Sequence, residues 1–255
     1  FNLYFKIYLI TLFFFATYFL IEKYNNSVDW TISDWLINYQ GGFTRRGLVG
    51  EIIFHISNIF SFPYRLTVLL FQISVYIFYY YLLFNFLKNT NKHLLIIFSI
   101  FSPLFVLYPI AELEVLARKE IFVFISFLLI SNIFSLKIIE NKHYLFFSII
   151  LTITFLIWEG LIFYLPFFIF ILLIKNNLIL NKSIIINLTL SILPLFIAFY
   201  FIVFFRLTND QLQIMCGSVN ECYGAMTYLD NNLKSNIGEV ISKFKIIYLI
   251  KYIFI

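Results

Sequence analysis

The chain has 255 residues, 62% of them hydrophobic and only 12% charged, with a net charge of +5 and a mean hydropathy of +0.93. Soluble domains carry roughly 45–50% apolar and 25% charged residues. This composition therefore excludes an ordinary soluble protein and predicts an all-α, polytopic integral membrane bundle. Its expected partner is the lipid bilayer, and no nucleic acid is expected.

The chain begins with Phe1 rather than Met and stops inside an apolar run, so it reads as one membrane-embedded domain over residues 1–255 that is a fragment at both ends. Phe, Ile, Asn and Lys are heavily used, as an A/T-rich coding sequence would produce. The five arginines are then the more informative cations.

A crossing of the bilayer needs about 20 apolar residues. The first such run is Leu3–Ile21, and a polar stretch follows as far as Tyr64. Further runs cover Leu66–Leu87, Leu94–Ala111 and Ile121–Leu136. From Tyr144 to Ile174 the chain is apolar except for Glu159, too long for one crossing and short for two. A break at Trp158-Glu159-Gly160 divides it into two short crossings, with Trp158 in the interfacial belt. Ser183–Phe205, carrying Pro194, makes the seventh, and Glu239–Ile255 begins another.

Charge supports about seven spans with a cytoplasmic N-terminus in the inner (plasma) membrane. The inner turns then hold Lys88, Lys92, Lys137, Lys142, Lys175 and Lys182, as the positive-inside rule expects. Arg45, Arg46, Arg65, Arg118 and Arg206 fall outside, with every acid except Glu140. Cys216 and Cys222 share the last outer loop, where a disulfide or two free thiols are both open readings. No His/Cys pattern has metal-ligand spacing.

Function is expected in the first outer loop. Asp29 and Asp34 lie just beyond the first span, where a carboxylate can act as a general base or hold a divalent cation; no other cofactor is implied. Gly41-Gly42-Phe43-Thr44-Arg45-Arg46-Gly47 reads as an anion site, glycine backbone N–H groups and guanidinium forks both suiting phosphate. The plainer alternative is a glycine turn whose arginines meet lipid headgroups.

An amphipathic helix follows over Gly47–Phe60, predicted to lie in the interface, with Glu51, His55 and Asn58 at i, i+4 and i+7 on its polar side. Glu51 and His55 can form a proton-tuning pair, or simply the wet face of that helix. Glu112, Glu114, Arg118, Lys119 and Glu120 place five charges in nine residues at another outer turn. That density favours a polar pocket shared with the first loop, with Glu114–Arg118 as an i, i+4 pair. Glu159, isolated among apolar residues, should face the protein and find a partner such as an arginine.

This layout resembles the GT-C superfamily of integral-membrane glycosyltransferases, which take a sugar from a polyprenyl-phosphate carrier. The resemblance implies a catalytic acid at Asp29 or Asp34 and lipid-phosphate binding by Arg45 and Arg46, with Arg118 or Arg206. The first loop departs from the family in having no Asp-x-Asp. The run Asn38–Glu51 also resembles a segment of uncharacterised bacterial multi-span proteins, which implies no activity. Two other readings remain: a transporter or flippase of an anionic lipid-linked substrate, and a membrane assembly subunit. Transporters place polar groups near the midplane, often in repeated halves, whereas here the charges gather at one face.

Overall fold

The computed structural model describes residues 2–26, 30–88, 94–101, 115–135, 140–175, 181–204 and 207–229. All regular structure among them is helical. Three helices are long and apolar enough to cross a membrane: α1 (Asn2–Asn25), α4 (Tyr64–Lys88) and α9 (Lys182–Phe204). Between them lie α2 (Trp30–Leu36), α3 (Gly47–Phe60), α5 (Leu94–Phe101), α6 (Ile121–Phe134), α7 (Asn141–Ile157) and α8 (Leu165–Lys175). The last helix among the described residues, α10 (Asn209–Val219), is followed by a 3-10 turn, Gly224–Tyr228.

α4 is the central post. Over half of its most apolar window (56%) is buried, against 28% for α1 and 17% for α9. The outer two present Ile7, Ile10, Phe14, Leu190, Phe196 and Tyr200 to the surroundings. So much exposed apolar surface is out of place in water and natural against hydrocarbon.

The interior forms two apolar clusters, and α6 is the wall between them. Its Ile121, Ile125 and Leu128, at i, i+4 and i+7, pack with α1 and α4. Val123, Ile130 and Phe134 pack on its other side with α7, α8 and α9. A helix apolar all round can serve both clusters, which explains why α6 is buried on two sides.

The apolar stretch Tyr144–Ile174 is interrupted as its single charge implies. Trp158 is extended, Glu159–Tyr164 forms a 3-10 turn, and α8 resumes at Leu165. α3 occupies Gly47–Phe60. It ends at Ser61 in a left-handed conformation (φ 55°), and Pro63 then opens α4, with the Thr67 N–H donating to its carbonyl. Val49 and Ile53 of α3 face the core, while Ile59 and Phe60 are exposed. Two short helices lie inside stretches that read as polar loops: α2 and α10. Cys216 and Cys222 are joined as a disulfide at the end of α10.

Gly50 lets α3 lie directly on the chain leaving α2, since a Cβ there would sit 1.9 Å from the Ile37 carbonyl oxygen. Gly217 of α10 has open space around the same position. Gly50→Ala should destabilise the protein by about 3 kcal/mol or more, as overpacking against backbone does. Gly217→Ala should be neutral or stabilise by up to about 1 kcal/mol. Thermal unfolding of both variants in detergent checks the pair, and equal effects would contradict this packing.

Candidate functional site

The polar site is assembled at one end of the bundle, beginning from the backbone of a single residue. Trp35 of α2, fully buried, donates from Nε1 to the Ala117 carbonyl at 2.6 Å. The Ala117 N–H donates to the Tyr76 hydroxyl of α4 at 3.1 Å. Both backbone polar groups of Ala117 are thus held, with the residue in a left-handed conformation (φ 72°). The clamp sets the turn after it so that Lys119 points inward, fully buried, and donates to the Arg46 carbonyl at 2.7 Å. Arg46 too is left-handed (φ 62°). Such conformations cost about 1–3 kcal/mol each and persist only where their surroundings hold them.

The Arg46 guanidinium is the hub. Its Nε bonds both carboxylate oxygens of Glu159, at 2.8 and 2.9 Å, and its Nη1 lies 3.3 Å from Asp34 Oδ1. Arg45 Nη1 is 3.9 Å from Glu159. With Lys119 protonated, Asp34, Glu159, Arg46 and Lys119 sum to zero charge, as a group taken out of water requires. Burial alone would raise the Glu159 pKa, but the charge and hydrogen bonds of Arg46 hold it below the usual carboxylate range. Burial works against the Arg46 charge as well, yet Glu159 and Asp34 carry its pKa above the ordinary value. For Lys119, burial and then Arg46 outweigh the acids around it and bring its pKa down to about 8.

Above this network opens a polar cleft of about 230 Å³, lined by Trp30, Thr31, Asp34, Arg46, Arg118, Glu120 and Trp158. Arg118 is half-exposed and 3.8 Å from Glu120. Glu120 has its pKa raised, chiefly by burial. It precedes α6 in the N-cap position, but its side chain makes no capping bond. The cleft therefore joins carboxylates, a mobile-length guanidinium and two indole faces. Hydroxyl-rich, anionic ligands suit that combination.

Other residues singled out in the sequence have different surroundings. Arg45 donates to the Tyr228 carbonyl at 2.9 Å. Gly41 lies against the backbone of α10, where a Cβ would meet the Gln211 carbonyl oxygen, and the Gly42 N–H is bonded to the Tyr39 carbonyl. These glycines permit close packing and a tight turn (Gly42 φ 132°). Arg46, read from sequence as a phosphate donor, grips carboxylates of its own chain.

Glu51 accepts from the Tyr39 N–H and the Gln40 side chain, at 2.9 and 2.8 Å, and lies 3.0 Å from His55. Glu51 thus splints the glycine loop to α3, with His55 on its exposed side. Arg65 bridges the ends of α1 and α4 to the disulfide segment through Tyr24, Asn26 and Tyr223. Asp29, Glu112, Glu114 and Arg206 lie outside the described residues. Among the described residues no group of His, Cys, Asp and Glu could hold a metal ion.

Trp30 and Trp158 line the cleft although the sequence assigns them no chemistry. Lys119 and Glu120 belong to the charge cluster expected to share a pocket with the first loop, but its density does not tell the buried lysine from the cleft-lining acid.

Two measurements probe the network. Glu159→Leu should cost about 2–3 kcal/mol, less than for a fully buried pair because both partners are about a quarter exposed. Arg46→Met combined with Glu159→Leu should recover part of that loss, a coupling read from unfolding of the two single variants and the double one. Strict additivity would contradict the pairing.

The second measurement follows from Lys119. Its folded pKa, about 8, lies below the unfolded 10.5. Across that window the unfolded chain holds the proton more fully, so this group's contribution to stability rises with pH and is smallest below pH 8. The stability difference between wild type and Lys119→Met should therefore shift in favour of wild type from about pH 8 to 10. A flat or opposite trend would contradict the burial of a charged lysine.

No protein-family model matches the chain, and no curated protein and no solved structure is similar to it.

Proposed function

We propose that the chain is an integral membrane glycosyltransferase whose cleft takes a sugar from a polyprenyl-phosphate donor at the extracytoplasmic face. One observation carries the reading. Asp34, Glu120 and Arg118 share a cleft with Trp30 and Trp158 at the ends of apolar helices. Indole faces suit the C–H faces of a pyranose, carboxylates accept from its hydroxyls, and a guanidinium pairs with phosphate in bidentate fashion.

The seven-crossing topology belongs to the same proposal. Lys88, Lys142, Lys175 and Lys182 stand at helix ends remote from the cleft, and Arg45, Arg46, Arg65 and Arg118 at the cleft end. That asymmetry favours a cytoplasmic N-terminus and an outward-facing cleft. The ionisable cluster lies at helix ends rather than at the midplane, which favours an enzyme over a transporter.

Within this reading the phosphate passes to Arg118, because Arg46 is committed to Glu159 and Asp34. Asp34, fixed by Arg46, orients the acceptor hydroxyl towards the sugar carbon. Arg118 neutralises the phosphate as charge builds on it during departure. No metal is required by this scheme. Should a divalent cation take part, Asp34 or Asp29 would be the carboxylates to hold it.

The test supplies polyprenyl-phosphate sugars to the purified protein in liposomes. Asp34→Asn should lower turnover by about 10²-fold, the typical cost of losing a positioned group. Arg118→Ala should raise the donor KM more than it lowers kcat. Variants as active as wild type would end these assignments. A wild type that transfers nothing but moves the lipid-linked sugar between leaflets would replace the enzyme with a transporter.

A further inference from the structure

The two carboxylates of the cleft have unequal partners. Asp34 is buried, with Oδ1 at 3.3 Å from a guanidinium that Glu159 holds in place from its other side. It is fixed, and its oxygen is already engaged. Glu120 accepts from its own backbone N–H and has Arg118 as its paired cation, at 3.8 Å, and Arg118 is about half exposed. Arg118 is also the exposed guanidinium on the cleft wall, and Arg46 on the same wall has both carboxylates to satisfy. A phosphate entering the cleft therefore competes with Glu120 for one cation.

We infer that Arg118 is shared between Glu120 and the donor phosphate, so that binding the donor frees Glu120 to take the acceptor's proton. The inference rests on the transferase reading for its chemistry, though the exchange of Arg118 between two anions does not. In the step, Glu120 removes the proton of the acceptor O–H as that oxygen bonds to the anomeric carbon. The bond from that carbon to the phosphate oxygen breaks, and its electron pair leaves with the polyprenyl phosphate. Protons and charge balance: the carboxylate becomes a carboxylic acid, and the singly charged phosphodiester becomes a doubly charged monoester.

The surroundings favour Glu120 for this part. Burial already raises its pKa, which makes it a stronger base once ionised. The charged and titratable groups acting on it are Arg118 and Lys119 of its own turn, Asp34 of α2, Arg46 before α3 and Tyr76 of α4. Of these cations, Lys119 bonds the Arg46 carbonyl and Arg46 bonds carboxylates. Arg118 is the one placed to move. Losing it leaves Glu120 near Asp34 with less opposing charge, and its affinity for a proton rises.

Proton uptake provides a readout that a merely structural role would not move. A short-chain polyprenyl monophosphate would be titrated calorimetrically into wild type, Glu120→Gln and Arg118→Ala near neutral pH, in buffers of different ionisation heat. Wild type should take up more protons on binding than Glu120→Gln, the difference being a sizeable fraction of one proton. Arg118→Ala should bind at least 10-fold more weakly. Equal proton uptake by wild type and Glu120→Gln would overturn the exchange.

Turnover then separates this inference from the function it rests on. Glu120→Gln should lose about 10²-fold or more in kcat, as expected for a general base, and lose the rise of rate with pH that wild type should show. Full activity with an unchanged pH profile would exclude Glu120 as proton acceptor and leave the transferase standing. Proton coupling in a wild type that transfers no sugar would instead remove the transferase and leave the Arg118 exchange in place.

Discussion

The architecture at the cleft end of this bundle depends on one half-buried guanidinium. Arg46 stands between Glu159, on the α7–α8 side, and Asp34, on the α1–α4 side. The two apolar clusters that share α6 as a wall are thus tied across their top by charge. Apolar packing is non-directional and would tolerate several rotations of one half against the other. A guanidinium bonded to a carboxylate from each half tolerates far fewer. Buried ion pairs add little net stability compared with apolar isosteres, so its contribution here is to specify one arrangement.

That specification reaches the cleft through a short chain of contacts. Trp35 and Tyr76 hold the backbone C=O and N–H of Ala117, which directs Lys119 onto the Arg46 carbonyl. Two of the described residues forced into left-handed backbone, Arg46 and Ala117, lie on this path. Strain collected beside a polar cleft is a usual mark of a site shaped for a ligand. The disulfide segment covers it from one side: Ser33 accepts from the Ala225 N–H, Asn38 donates to Ser218, and Tyr228 packs on Trp30.

Much of this frame was legible in the residues, and the reasons for the gaps are physical. Helical periodicity marks α3 because its apolar positions recur over four turns. A lone acid among apolar residues marks both the break at Glu159 and its need for a cation, and Arg46 is that cation. α2 and α10 are short and mixed in composition. Such helices exist through tertiary contact rather than propensity, so the sequence alone carries little sign of them. The glycine–arginine run shows the opposite difficulty. Glycine next to arginine is equally consistent with cradling phosphate and with close backbone packing, and the packing of Gly41 on Gln211 is a long-range contact that local spacing does not reveal. Adjacent arginines cannot be sorted by sequence either: Arg45 reaches a carbonyl, Arg46 two carboxylates.

The central claim is that the cleft between Trp30 and Trp158 receives a sugar phosphate, with Arg118 rather than Arg46 on the phosphate. A cryo-electron microscopy structure of the protein in nanodiscs, with a non-transferable polyprenyl-phosphate sugar bound, tests it most directly. The account predicts the phosphate within hydrogen-bonding distance of Arg118, the sugar ring against an indole, and the Arg46–Glu159 pair intact. A phosphate bound to Arg46 with Glu159 displaced, or a ligand lodged elsewhere and the cleft empty, would contradict it.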